Sequence, residues 1–218
     1  MRYVPPARAA LAAILISGLV FAAGVTPSAI APESPRTRPE RTGFEETSRY
    51  TDVIAFLDSL RLVDPGLDVR TFGYSEEGRS LPLVVFGAAP GASAEVIRAD
   101  SRLRILVLAN IHGGEVAGKE AALVLARELV EGQRDDWLNS VIVLIAPIYN
   151  ADGNERIGLR KRPGQKGPQA GKGQRANASG LDLNSVKMKL DAAEGRALAR
   201  EQQSRFPDTM TAAWWKEE

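Results

Sequence analysis

The sequence predicts an α/β domain that contains a strand–helix–strand unit. Two apolar runs of strand length, LRILVLAN (103–110) and SVIVLIAPI (140–148), are typical of strands that are covered on both faces. Between them lies GKEAALVLARELVEG (118–132), an amphipathic helix with Gly132 as its C-terminal stop. A strand, a helix and a strand in this order favour a crossover connection and a parallel pair of strands.

Further elements are predicted on both sides of this unit. Apolar residues at helical spacing predict a helix over 48–62, and LDVRTFGYSEEGRSLPLVVFG predicts two strands, 69–74 and 81–86, joined by a turn. The last helix is predicted within 188–206. Before it, the polar, glycine-rich and basic segment 149–184 has no helical or strand pattern. A loop of this length inside a domain is usually functional or disordered.

The first 31 residues are predicted to be a secretory signal peptide. Arg2 and Arg8 form a basic start, an apolar run follows at 9–25, and AIA (29–31) has the small-x-small pattern of a cleavage site. We therefore expect an exported protein, periplasmic or extracellular, without stable membrane insertion once residues 1–31 are removed. The alternative is that the apolar run stays in place as an N-terminal membrane anchor.

The remaining boundaries follow from composition. Residues 32–46 are rich in proline and charge and are predicted to be a disordered linker, so the folded domain is expected over 47–218. The chain of 218 residues has 44% hydrophobic and 25% charged residues and a net charge of +1, which is typical of a soluble globular protein. Because the charge is balanced and no basic stripe carries interleaved aromatics, we expect no nucleic-acid partner.

Residue counts narrow the possible chemistry. The chain has no cysteine, which excludes disulfides, thiolate zinc sites and a cysteine nucleophile. It has one histidine, His112, so no site within these residues can use two imidazoles.

The segment NIHGGEVAGKE, 110–120, is compatible with two chemistries. It approaches the phosphate-binding pattern G-x-x-x-x-G-K-[ST], but Glu120 replaces the hydroxyl residue and Glu115 would place a carboxylate among groups that hold an anion. The metal hypothesis explains the same residues better. His112 and Glu115 follow a strand and open a helix, and imidazole and carboxylate are ligands that zinc accepts in catalytic sites.

Four segments in order resemble the M14 family of zinc carboxypeptidases, the carboxypeptidase A-like enzymes. NIHGGEVAGKEAALVLARELVEG is similar to the segment with the first zinc ligands, and PIYNADGNER is similar to the Pro-x-x-Asn-Pro-Asp-Gly turn, with Ala151 in place of proline. RANASGLDLN resembles the segment with a substrate-binding arginine and asparagine, and FGYSEEGRSLPLVVFG resembles the opening strands. The resemblance runs from about residue 47 to residue 200.

This resemblance implies a fold and a set of site residues. The fold would be an α/β/α sandwich around a mixed central sheet. His112 and Glu115 would be the first two ligands of one Zn²⁺ ion. Arg175 would polarise the scissile carbonyl and stabilise the oxyanion, and Asn184 would bind the terminal carboxylate of a substrate that is the C-terminus of a peptide or protein.

The sequence departs from the family pattern at two places. Ser185 stands where the family usually has an arginine that clamps the substrate carboxylate, and a hydroxyl lacks that charge and fork geometry. The third zinc ligand of the family is a histidine, but no histidine follows His112, and the family's general-base glutamate and capping tyrosine lie later still. We therefore interpret the chain as the N-terminal portion of such a domain, C-terminally truncated, which leaves a central strand of the sheet as an unpaired edge.

Two functional hypotheses remain open. The first is a zinc-dependent metallocarboxypeptidase-type peptide hydrolase, for which this chain is expected to bind zinc weakly or not at all and to show little or no activity. The alternative is a non-catalytic peptide-binding module that retains part of the substrate groove. Ser185 and the absent histidine favour this second hypothesis, whereas an incomplete sheet counts against it.

Overall fold

The chain alternates helices and strands around one sheet. The structure, a computed structural model, describes residues 34–185 and 189–205. Its helices are α1 (Arg38–Arg41), α2 (Tyr50–Val63), α3 (Ala94–Ala99), α4 (Val116–Val130), α5 (Asp135–Leu138), α6 (Ala151–Glu155) and α7 (Ala193–Arg205), and its strands are β1 (Asp68–Tyr74), β2 (Ser80–Phe86), β3 (Leu103–Leu108) and β4 (Val141–Ala146). The predicted strand pair, the strand–helix–strand unit and the last helix are confirmed.

The predicted signal peptide over 1–31 lies outside the described residues, so export stays a prediction. In the part of the chain that is described, no helix has both the length and the apolar character needed to cross a bilayer.

The four described strands form a mixed sheet in the order β1-β2-β4-β3. The crossover through α4 makes β3 and β4 parallel, with Leu103 opposite Val141 and Leu108 opposite Ala146. β2 is antiparallel to both β1 and β4. Parallel pairing of β3 and β4 brings their carboxyl ends to the same edge of the sheet, and the loops that follow these two strands carry the candidate site.

Alternate side chains of β2 and β4 divide the core between the two faces of the sheet. On one face, Val84 and Val143 pack in a cluster with α2 and α4; on the other, Val85 and Leu144 pack with Ile97 of α3. α7 contacts α3 and the first strand. Helices therefore cover both faces of the sheet, as the expected α/β/α sandwich requires.

Strand β3 is less covered than its sequence predicts. A continuous apolar run was expected to be buried on both faces, but Leu103 is 55% exposed and Ile105 is 40% exposed. Among the described strands, β3 pairs with β4 alone, which makes it an edge of this sheet. The prediction of full burial is therefore wrong for these two residues, because burial of a strand depends on neighbours that its own sequence does not specify.

The segment 34–46 is ordered, in contrast to the disordered linker expected over 32–46. It contains α1, in which Thr37 and Glu40 form a capping box. Arg127 of α4 donates two hydrogen bonds to the Glu40 carboxylate, at 2.8 and 2.7 Å. The segment is thus held by polar contacts to α4. The proline and charge content of the segment, on which the expectation rested, carries no signal for such contacts.

Replacing Glu40 by glutamine is expected to destabilise the fold by about 1–2 kcal/mol, because it removes the charge that caps α1 and pairs with Arg127. The hydrogen bond from Arg127 lowers the pKa of Glu40 from 4.5 to about 2. The lowered pKa means that this stability is present above pH 4.5 and is lost as the pH falls towards 2. Urea unfolding at pH 7 and at pH 3 measures both effects.

The exposed Glu45, in the same segment, provides the control. Glu45→Gln should change the unfolding free energy by less than about 0.5 kcal/mol at either pH. Equal effects of Glu40→Gln and Glu45→Gln at pH 7 would show that the Arg127 contact does not hold the segment.

Candidate metal centre

Three loop segments, one of which contains the short helix α6, meet backbone to backbone beside the carboxyl ends of β3 and β4. A Cβ atom on Gly113 would lie 2.2 Å from the carbonyl carbon of Gly153, and one on Gly173 would lie 2.4 Å from the Gly153 oxygen. The same loops exchange hydrogen bonds, since Gly114 N donates to Gln174 O at 3.1 Å and Gln174 N donates to Gly153 O at 2.9 Å. Only glycine allows this approach, so the three glycines fix how the loops sit on one another.

Two buried asparagines hold the loop that carries the histidine. Asn110 has a φ of 60°, and its Nδ2 donates to the carbonyls of His112 and Gly113 at 3.3 Å each. Asn150 follows β4, and its Nδ2 donates to the carbonyls of Ile111 at 3.3 Å and Arg175 at 3.1 Å. These amides satisfy backbone groups that the turn leaves unpaired. They tie the histidine loop to the loop that contains the predicted arginine.

His112 is buried between two carboxylates. The residue is 6% exposed. Its Nδ1 lies 2.8 Å from Glu115 Oε1, and its Nε2 lies 2.9 Å from Asp182 Oδ1. Glu115 Oε1 can only accept, so its 2.8 Å contact with Nδ1 is a hydrogen bond when Nδ1 carries a proton. A metal ion on Nδ1 would replace that proton, while an Nε2–H donates to Asp182. Histidine ligands of metals are commonly oriented by such a carboxylate. The predicted pair is therefore brought together, with Asp182 as a support that the sequence reasoning did not identify.

Asp182 is the meeting point of the predicted residues. Arg175, half exposed, donates from Nε to Asp182 Oδ2 at 2.8 Å, and the backbone N–H of Asn184 donates to Oδ1 at 3.0 Å. Burial alone would raise the pKa of Asp182, but the hydrogen bonds from His112, Asn184 and Arg175 outweigh it and hold the pKa well below its usual range. Asp182 is thus an anion throughout the physiological range. The neighbouring Ser185 is exposed, and its amide donates to the Asp182 carbonyl at 3.0 Å.

Glu115 is the N-cap residue of α4 and accepts a hydrogen bond from a guanidinium as well as approaching His112. Arg162 Nη2 donates to Glu115 Oε1 at 2.8 Å, the same oxygen that approaches His112. Burial raises the pKa of Glu115, but the hydrogen bonds from Arg162 and His112 lower it by more, so the pKa lies below its ordinary value. The long loop that was expected to be functional or disordered supplies this contact, which the sequence reasoning missed.

The donors present fit a zinc ion in chemistry. An imidazole nitrogen and a carboxylate oxygen are brought within 2.8 Å of each other from a strand end and a helix start, as the H-x-x-E spacing predicts. In the described ranges, 34–185 and 189–205, no cluster of three or more histidine, cysteine or acidic side chains is arranged to hold a metal. Asp182 does not count as a third ligand, because it lies on the opposite nitrogen of the ring.

The phosphate alternative is not compatible with the position of Lys119. This side chain is fully buried, and its Nζ donates to the Ser48 carbonyl and, at 2.6 Å, to Asn154 Oδ1. Burial lowers the pKa of Lys119 to about 8. A phosphate-loop lysine must instead reach an open cradle. Lys119 holds α4 against its neighbouring segments.

Comparison with known proteins matches most of the described chain to one family model. Residues 53–205 match the family model described as zinc carboxypeptidase. The chain is 31% identical over 143 residues to the human carboxypeptidase N catalytic chain, covering 62% of this chain and 29% of that protein. It is 32% identical over 126 residues to carboxypeptidase E of Caenorhabditis elegans, covering 55% of this chain and 25% of that protein. The chain therefore spans less than a third of the length of either relative.

Solved structures agree on the fold. A metallo-carboxypeptidase from Burkholderia cenocepacia superimposes with a TM-score of 0.51 at 20% identity, over 71% of this chain and 37% of that chain. At this identity the likeness concerns the fold alone. The described α/β/α arrangement is thus the arrangement found in part of a larger carboxypeptidase fold.

Gly113→Ala is expected to destabilise the protein by about 3 kcal/mol or more, because the new Cβ would overlap the Gly153 backbone. Gly118→Ala is the matched control. Gly118 lies in α4 with nothing within 4 Å of the added Cβ, so alanine should stabilise by about 0.5–1 kcal/mol. Thermal unfolding followed by circular dichroism measures both, and a Gly113→Ala variant as stable as wild type would contradict the glycine contact.

Proposed function

Because the chain belongs to the zinc carboxypeptidase family, we propose that it carries the first part of a zinc-dependent peptidase site, with His112 and Glu115 as metal ligands. The observation that supports this most strongly is the approach of His112 Nδ1 and Glu115 Oε1 to 2.8 Å, with Asp182 on the opposite ring nitrogen. A zinc ion in such a site supplies Lewis acidity towards a carbonyl and lowers the pKa of a bound water.

The protein side chains would bind and orient the substrate. We assign to Arg175 the role of stabilising negative charge on the scissile carbonyl oxygen, since it is a half-exposed guanidinium beside the candidate ligands. Its bonds to Asp182 place this charge next to His112. The substrate class is the C-terminus of a peptide or protein, with Asn184 as a hydrogen-bonding group for its carboxylate.

Ser185 bears on how tightly that carboxylate is held. A serine hydroxyl offers one neutral hydrogen bond where an arginine would offer two charged ones. Loss of a charged hydrogen bond costs about 1.5–3 kcal/mol. Recognition of a free C-terminus is therefore expected to be weaker than in a site with arginine at position 185.

The 218-residue chain is expected to bind zinc weakly and to hydrolyse peptides slowly or not at all. Catalytic zinc sites use three protein ligands, and His112 is the only histidine in the sequence. The second candidate function, a non-catalytic peptide-binding module, is favoured by the same histidine count and by Ser185. In both cases Arg175 and Asn184 line the place where the peptide end would bind.

Zinc titration of the purified chain tests the proposed ligands. Competition with a chelating dye should give one zinc ion per chain, and His112→Gln should weaken binding at least tenfold, because it removes the one imidazole donor. Asp58→Asn, which neutralises an exposed carboxylate on α2, is the control and should leave the affinity unchanged. Zinc binding that is equal in wild type and His112→Gln would overturn the proposed site.

Peptide assays separate the two functions. The same protein is incubated with a peptide bearing a free C-terminus and with its amidated counterpart, with and without zinc. We expect no release of the C-terminal residue above the His112→Gln background. Zinc-dependent release that disappears in His112→Gln would contradict the expected inactivity, whereas binding of the free peptide without release would favour the peptide-binding module.

A further inference from the structure

Arg162 lies against the candidate ligand Glu115 in a way that the proposed function does not require. The residue belongs to the long segment between α6 and α7, and its side chain is 15% exposed. Its Nη2 donates to Glu115 Oε1 at 2.8 Å. His112 Nδ1 approaches the same oxygen at 2.8 Å. A guanidinium nitrogen therefore occupies a lone-pair direction of the oxygen that faces the imidazole.

Packing against neighbouring residues holds the Arg162 side chain beside Glu115. A Cβ atom on Gly114 would lie 2.6 Å from Arg162 Cγ, so the stem of the side chain lies directly over the glycine. Gln165 closes the arrangement, because its amide can accept from Arg162 Nη2 at 3.0 Å while donating to the Gly114 carbonyl at 2.8 Å. Arg162 Nη1 is buried and has no hydrogen-bond partner among the described residues. The guanidinium is thus held by its hydrogen bond to Glu115 and by packing against Gly114, and its Nη1 donor is unused among the described residues.

A cation in this place opposes the binding of a second cation. Two like charges that share one carboxylate repel each other, and the repulsion is strong where the groups are partly removed from water. A carboxylate oxygen that already accepts from Arg162 and faces His112 has its lone pairs engaged. A metal ion that takes this oxygen must displace the guanidinium or bind beside it at an electrostatic cost.

We propose that Arg162 is an internal competitor for the metal site, which holds Glu115 in the metal-free chain and yields it when a divalent cation binds. This inference rests on the proposed function, because it takes His112 and Glu115 as the ligands. It adds that zinc affinity is set partly by a residue that does not itself bind the metal. Removal of the guanidinium should therefore tighten metal binding.

The test is zinc affinity, measured by chelator competition on the full 218-residue chain. Arg162→Gln removes the charge and should lower the dissociation constant about tenfold or more. Arg162→Lys keeps the charge but loses the planar fork and should give a smaller decrease. Arg160→Gln is the matched control. It removes the same charge from an exposed residue in the same segment and should change the dissociation constant by less than about twofold.

The outcomes separate this inference from the proposed function. If His112→Gln abolishes binding and Arg162→Gln leaves it unchanged or weaker, Arg162 supports Glu115 and does not compete, and the inference is overturned. If His112→Gln has no effect on zinc affinity, the proposed ligands are wrong and the inference falls with them. Arg162→Lys decides the question if the glutamine variant does not fold, since an affinity equal to or weaker than wild type would contradict competition.

Discussion

The candidate site depends on the contact among Gly113, Gly153 and Gly173. Each comes from a different segment, Gly113 from the loop after β3, Gly153 from α6 and Gly173 from the segment after α6, and a Cβ at any of them would lie within 2.2–2.6 Å of neighbouring atoms. This contact brings the loop after β3 against the loop after β4 and against the segment that leads to Arg175. The positions of His112 and Asp182 follow from it, since neither side chain could reach the other if the loops were further apart. Direct contacts between the main chains of these segments fix the positions of the site residues.

Charge is distributed around the site in alternating order. Five side chains form a continuous series in which contacting atoms of neighbours are 2.8–2.9 Å apart: Arg162, Glu115, His112, Asp182 and Arg175. Each carboxylate has a cation or an imidazole on either side, which explains why the pKa values of both fall below their ordinary ranges despite burial. Contacts to both ring nitrogens, with Glu115 at Nδ1 and Asp182 at Nε2, orient the imidazole of His112. A guanidinium lies at each end of this series: Arg175 is half exposed, and the stem of Arg162 lies over Gly114.

Much of the fold was predictable, because period and length of apolar runs are local properties. The strands before the site, the β3–α4–β4 unit and α7 follow from such runs, and the H-x-x-E spacing predicted that His112 and Glu115 lie together. Asp182 and Arg162 were not identified, since their roles depend on a fold that brings distant segments beside His112. Asp182 had one available signal, its position in the DLN segment two residues before Asn184. The ordered segment at 34–46 was missed because it is held by Glu40 and Arg127, a contact between residues far apart in sequence.

The orientation of His112 is the central claim, and a chain with a single histidine allows it to be measured without assignment. Two-bond ¹⁵N–¹H correlation spectra of the imidazole, recorded during zinc titration, report the state of each ring nitrogen separately. We expect Nδ1 to become metal-coordinated while Nε2 remains protonated and bonded to Asp182. Coordination through Nε2, or no change of either nitrogen at saturating zinc, would contradict it.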